Sequence, residues 1–439
     1  MRYSALVERI AGEGADAWRT HHEARLARER GEDVILLSVG DPELDSPEPV
    51  TRCAIERLRA GDTHYTAAAG REPLRAAIAA LHAARSGQAV DADQVVFTSG
   101  AQNALFAASL CLAGPGDEVI AFEPLYPTYP ATIEVSGARL VRVSASPANG
   151  FRLQHDALLQ AVSPRTRAIF FATPNNPSGV VLSEADLDVI GELARRHSLW
   201  VVADEVYAGL GAAGRVPGLA ARLPDRGVTI GSLSKSHAMT GWRAGWLIGP
   251  RPLITHVESL IMCMLFGLPG FIQEAALVAL GMAGAAEAAM REFCATRRDL
   301  LLEGLRDAPG IACCVPDAGM FMLVDVRGTG LSGYEFMRGL YESERVSVLD
   351  GGAFGAGTGG FVRVFFGTDP AALAEACRRI RRFVARQRRS PAVAAGVRSC
   401  PPGPSSQRPP ALPTCCNGPR SSRPSPGRAS CASRSGPSA

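Results

Sequence analysis

Residues 228–248 read V-T-I-G-S-L-S-K-S-H-A-M-T-G-W-R-A-G-W-L-I. Two apolar runs, Val228–Ile230 and Ala244–Ile248, have the length of short strands, and the polar stretch between them carries Lys235. Ala244–Ile248 is apolar on both faces, which predicts a strand covered by helices on each side. Lys235 is the sole lysine among 439 residues, against forty-five arginines. Ordinary surface charge does not require it, since arginine serves that purpose everywhere else. A lysine amine can lose its proton and then attack carbonyls, whereas guanidinium stays protonated. One lysine just beyond a strand therefore points to Schiff-base chemistry, against the plainer reading of a chance survivor of biased composition.

Outward from this stretch the same alternation recurs. Gln94–Phe97, Glu118–Phe122, Arg139–Val143, Arg167–Ala172 and Trp200–Ala203 are further strand candidates, and Asn103–Leu112 reads as an amphipathic helix. The expected fold class is α/β, with a mostly parallel sheet flanked by helices over residues 46–284. Long helical stretches from Gln273 to Leu305 and short strands at Met320–Val326 and Phe361–Phe365 predict a smaller α+β domain over 285–386, joined by the N-terminal segment 1–45. Residues 387–439 hold eleven prolines, four cysteines and eight arginines without Asp or Glu. Such a tail cannot bury enough apolar surface to offset its ordering entropy, so it reads as a disordered extension; a basic interaction tail is its functional alternative.

Composition excludes several classes. Without that tail, 38 basic residues face 43 acidic ones, so a nucleic-acid partner would rest on the tail alone. The start lacks the apolar core of a secretory signal, and Leu260–Leu268 is too short to span a membrane. The seven cysteines before residue 387 form no C-x-x-C and read as small core residues of a reduced, cytoplasmic protein.

The polar groups worth weighing follow the strands, where open α/β sheets gather ligands. Asp204 ends W-V-V-A-D-E-V-Y, with Tyr207 three residues on. Such a carboxylate can be an ion-pair member or a helix cap; beside a nucleophilic lysine it acquires a sharper role. Pyridoxal 5'-phosphate needs a carboxylate to keep its ring nitrogen protonated. Tyr207 and Asn176, the latter in the turn T-P-N-N-P-S-G, would then donate to the cofactor's phenolic oxygen. Gly100, Ala101 and Gln102 open a helix after a strand and offer amides to a phosphate, to which Ser232 adds a hydroxyl and Arg243 a guanidinium. Tyr126 can stack on the ring. Arg363 is a charge inside an apolar strand and needs an anion, for which a substrate α-carboxylate fits. The glycine-rich run at 352–360 lacks the setting of a dinucleotide fingerprint, so a nicotinamide cofactor is not expected.

The set G-D-P-E, Y-T-A-A-A-G-R-E-P-L-R, P-N-N-P-S-G, D-E-V-Y, S-L-S-K-S-H-A-M-T-G-W-R-A-G and F-V-R resembles, in order and spacing, the pyridoxal-phosphate-dependent aminotransferases of class I/II, fold type I. The resemblance spans residues 1 to about 386. It implies the roles above, with Lys235 as cofactor anchor and base, Tyr65 as a phosphate ligand of the neighbouring subunit, Gly40 as a backbone contact to substrate, and a homodimer. A narrower resemblance, through M-R-Y-S, R-I-A-G-E-G-A-D-A-W and P-D-A-G-M-F-M, is to the bacterial arginine:pyruvate transaminases. It implies arginine as amino donor, pyruvate as 2-oxo acid acceptor, and neither nucleic acid nor membrane as partner. Asp41, Glu43, Asp45, Glu13 and Asp16 are the acidic candidates for a cationic donor. The same constellation could serve aromatic, aliphatic or aspartate donors, a decarboxylase or a C–S lyase. An effector-sensing domain of a transcription regulator is the reading from another class; about forty residues before G-D-P leave no room for a DNA-binding domain.

Overall fold

The computed structural model describes residues 3–10, 18–211, 218–219 and 222–387. Of the sequence-read tail only Gln387 falls among them, and Glu13 and Asp16 lie outside. Apolar runs that do not alternate need cover on both faces, and the seven-stranded sheet supplies it. After a two-residue strand β1 (Ile35–Leu36) come β2 (Val95–Ser99), β3 (Glu118–Glu123), β4 (Arg139–Ser144), β5 (Thr166–Ala172), β6 (Trp200–Asp204), β7 (Gly227–Ser232) and β8 (Ala244–Ile248). The order is β2-β8-β7-β6-β5-β3-β4, with β8 alone running antiparallel to its neighbours. Along β5, Ala168 and Phe170 pack with helices Gly100–Leu112 and Arg251–Met264. Ile169 and Phe171 face the other way, onto Leu187, Ile190 and Leu193 of helix Glu184–His197. Because β3, β5, β6 and β7 are parallel, their C-terminal ends meet along one edge, and the residues that follow them converge there.

A second sheet is antiparallel: β9 (Ala312–Cys314), β10 (Phe321–Asp325), β12 (Leu349–Asp350) and β13 (Phe361–Phe365) lie in the order β12-β13-β10-β9, while the intervening β11 (Val346–Ser347) pairs in parallel with β1. Helices Ala283–Leu305, Gly333–Glu344 and Pro370–Gln387 cover it around one apolar core. The pairing of β1 ties residues 35–36 to this sheet, and Arg363 enters the molecule's interior on β13.

The helical stretches expected from Gln273 to Leu305 are two helices, Gly270–Gly281 and Ala283–Leu305, bent by 76° at Met282. One expectation needs correction. Cys263 is exposed rather than a core residue, on the outer face of its helix beside the equally exposed Met262 and Met264; Cys294 and Cys377 are buried as expected. Among the described residues no single helix is long and apolar enough to cross a membrane.

Gly245 of β8 shows how closely the sheet approaches the helix that follows β2. A Cβ there would lie 2.5 Å from the carbonyl carbon of Gly100 and 2.6 Å from the amide of Ala101. Backbone cannot yield as a side chain can, so Gly245→Ala is expected to cost about 1–3 kcal/mol. Thermal denaturation of the variant checks this, and an unchanged midpoint would refute the contact.

Candidate active site

The edge where the parallel strands end opens into a cavity of about 870 Å³, mouth included. Ala101, Gln102, Tyr126, Asn176, Asp204, Tyr207, Ser232, Lys235, Arg243, Arg363 and Gly40 all line it. Residues from five strand ends are thus brought together with Arg363 from the second sheet.

At one end stands the turn after β2. Gly100 has φ +75°, and a Cβ on it would lie 2.2 Å from the Nη2 of Arg243. The left-handed backbone favours glycine here, and a larger residue would also displace the Arg243 guanidinium. Arg243 donates to the carbonyl of Thr240 at 2.8 Å and to that of Ser99 at 3.3 Å. Gln102 is clamped, donating to Thr132 Oγ1 at 2.7 Å and accepting from Thr128 Oγ1 at 2.9 Å. Ser232 Oγ accepts from the Ser234 amide at 3.1 Å. The helix N-terminus, a hydroxyl and a guanidinium form an anion cradle.

Lys235 follows β7, and its Nζ donates to the carbonyl of Gly40 at 2.6 Å. Burial lowers its pKa to about 8; Arg363 and Arg243 push the same way and Asp41 opposes them. A useful fraction of free amine thus exists near neutral pH. Asp204 closes β6, accepting from the Tyr129 hydroxyl at 2.8 Å and from the Val206 amide at 3.2 Å. Burial raises its pKa to about 6, held in check by those two donors, so it remains a carboxylate at neutral pH. Burial also pushes the Tyr207 phenol far up, which keeps it a hydrogen-bond donor, with Asn176 as a partner. Tyr126 meets Tyr129 edge-on, with ring centroids 6.3 Å apart.

Arg363 is 1% exposed. It donates to Asn176 Oδ1 at 2.9 Å and to the Ser38 carbonyl at 2.5 Å, while its Nε has no partner. Its guanidinium lies 4.1 Å from the centroid of Phe321. Burial lowers its pKa to about 10, so it remains charged. No carboxylate among the described residues pairs with it, and an anionic ligand would complete it.

Tyr65 is 84% exposed, lies outside this cavity, and packs against Phe266 at 4.7 Å. Of the acidic candidates, Asp41 accepts from Thr240 Oγ1 at 2.6 Å beside the site. Glu43 is committed to Thr368 Oγ1 and the Asp369 amide, both at 2.6 Å, and Asp45 lines a neighbouring groove. Sequence reasoning missed Tyr129, Trp18 and Ser38. The tyrosine spacing in P-L-Y-P-T-Y carried a signal for Tyr129; Ser38 acts through its carbonyl, which no side-chain pattern reveals.

Residues 32–380 match the family of class I and II aminotransferases. The arginine–pyruvate transaminase AruH of Pseudomonas aeruginosa is 49% identical over 388 residues, which cover 87% of this chain and 97% of that protein. A probable aspartate/prephenate aminotransferase of Rhizobium leguminosarum is 33% identical over 376 residues, 82% of this chain and 94% of the relative. Among solved structures, aspartate aminotransferase from Thermus thermophilus with maleate superposes with a TM-score of 0.83 at 31% identity, covering 87% of this chain and all of that one. The sheet order, the lysine beyond β7 and a match over most of the length agree, and the chain belongs to the class I and II aminotransferases.

Proposed function

We propose that this aminotransferase moves the α-amino group of L-arginine to pyruvate, with pyridoxal 5'-phosphate as cofactor. The observation that carries the chemistry is Lys235, an amine with its pKa lowered to about 8, in one cavity with a buried carboxylate, Asp204, and an unpaired buried cation, Arg363. The donor assignment draws on the 49% identity to the arginine–pyruvate transaminase.

The residues present suit that cofactor. Its phosphate would meet the Ala101 and Gln102 amides, Ser232 and Arg243, in a cradle that a Cβ on Gly100 would obstruct. Asp204 would hold the proton on the ring nitrogen, Tyr207 and Asn176 would face the phenolic oxygen, and Tyr126 would flank the ring. When bound, the cofactor supplies a carbonyl that condenses with amines and a ring that accepts the electron pair released at Cα. The chain does the rest. Arg363 binds the donor's α-carboxylate and so orients the Cα–H bond. Lys235 Nζ takes the proton from Cα and returns it in the reverse half-reaction. Gly40 contributes the carbonyl that holds Nζ in position before reaction.

Two further features belong to this reading. Exposed Tyr65 and Phe266 support a homodimer in which Tyr65 reaches the partner's phosphate. The seven-stranded and antiparallel sheets support a large domain over 46–284 and a smaller one over 285–386 joined by 1–45.

The test is an absorbance spectrum of the cofactor-loaded protein. L-arginine alone should abolish the visible band, and pyruvate should restore it. If other amino acids bleach the band and arginine does not, the donor assignment falls and the aminotransferase chemistry stands.

A further inference from the structure

A cationic donor poses an electrostatic problem in this cavity. Its lining already holds three cations, Lys235, Arg243 and Arg363. Among the described lining residues the single carboxylate is Asp204, which lies deep and is bonded to the Tyr129 hydroxyl. Among the described residues a guanidinium entering here meets no free carboxylate on the cavity wall, and Asp41 beside it accepts from Thr240 Oγ1.

Of the aromatic rings among the described lining residues, Tyr129 binds Asp204, Phe321 lies under Arg363, and Tyr126 and Tyr207 face the cofactor in the reading above, which leaves Trp18. Trp18 directly precedes helix Arg19–Glu29, with no side-chain bond to its first turn, is partly buried, and borders the cavity. Its indole meets the His21 ring at 5.8 Å with the planes 81° apart. His21 is buried and shares a 2.9 Å hydrogen bond between Nδ1 and Ser38 Oγ, and the carbonyl of the same Ser38 accepts from Arg363. The indole and the cation for the α-carboxylate are thus joined through two residues, His21 and Ser38. Indole is the strongest of the aromatic acceptors for a cation, and the contact strengthens when water is excluded.

We propose that Trp18 is a specificity-determining residue that receives the donor's guanidinium against its indole. The inference rests on arginine as the donor. It separates this site from one selecting an anionic donor, for which an indole offers no attraction.

The experiment compares wild type, Trp18→Phe and Trp18→Leu, each loaded with cofactor. The readouts are kcat/KM for L-arginine and for L-citrulline, a neutral donor of the same length. Inhibition constants for 5-guanidinopentanoate and 5-ureidopentanoate, which lack the reacting amine, complete the set. Trp18→Leu should lose roughly tenfold in kcat/KM for arginine with citrulline little changed, and Trp18→Phe should keep most of the preference. Equal losses for both donors, or none, would reduce Trp18 to a wall and overturn the proposal. If wild type transaminates other donors and not arginine, the donor reading has failed, and the inhibitors then decide. A preference for the guanidino acid that vanishes in Trp18→Leu upholds the indole as a cation site, and equal inhibition by both acids rejects it.

Discussion

Arginine in place of Lys235 will leave a folded protein that performs no measurable half-reaction, with kcat reduced by at least about 10³-fold. The substitution keeps a cation and a long side chain, so charge and packing change little; what it removes is the free amine. Guanidinium does not lose its proton in proteins. An ordinary lysine would be deprotonated in only about one molecule in 3,000 at pH 7, whereas one with its pKa lowered to about 8 is deprotonated in roughly one in ten. The desolvation that produces this shift makes the position a base. The wild-type rate of the single-turnover half-reaction should therefore rise with pH as the amine displaced from the cofactor loses its proton, the burial that lowers its pKa acting on that free form. Stopped-flow absorbance reads this limb. Activity of Lys235→Arg within tenfold of wild type would remove the lysine from the chemistry altogether.

Much of this arrangement was legible because its signals are local. Runs such as Arg167–Ala172 announce a strand buried on both faces, and a polar residue directly after each run lands on the common edge of a parallel sheet. Lys235, Asp204 and Asn176 were found this way, and the cavity collects all three. What escaped depends on tertiary contact. The two-residue pairing of β1 with β11 joins positions 35 and 346, too short and too distant for any periodicity to betray. Ser38 holds Arg363 through a carbonyl, a group every residue carries. Trp18 sits at a helix start that reads as surface, and only folding turns it towards the cavity.

Arg363→Met should have the other large effect, and it should depend on the substrate. Methionine approximates the apolar stem and can keep contact with Phe321, which lies 4.1 Å from the guanidinium centre, so the antiparallel sheet retains much of its packing. The lost function is recognition of the carboxylate. Truncating one partner of a buried, hydrogen-bonded charge pair costs about 2–5 kcal/mol, or roughly 30- to 4,000-fold in kcat/KM. The loss should fall on arginine and pyruvate alike, because each presents a carboxylate. Agmatine, which is arginine without that group, gains nothing from Arg363 and should be a poor donor before and after the change. The ratio of arginine to agmatine in kcat/KM is therefore the decisive quantity, and it should collapse towards unity in the variant. Arg363→Lys should recover only part of it. An ammonium restores the charge but not the planar fork that donates to Asn176 at 2.9 Å and to Ser38 at 2.5 Å. A ratio unchanged in Arg363→Met would mean that the carboxylate is bound elsewhere. The buried cation would then lack the anion that its uncompensated charge requires, so the outcome bears on the architecture of the site as much as on its specificity.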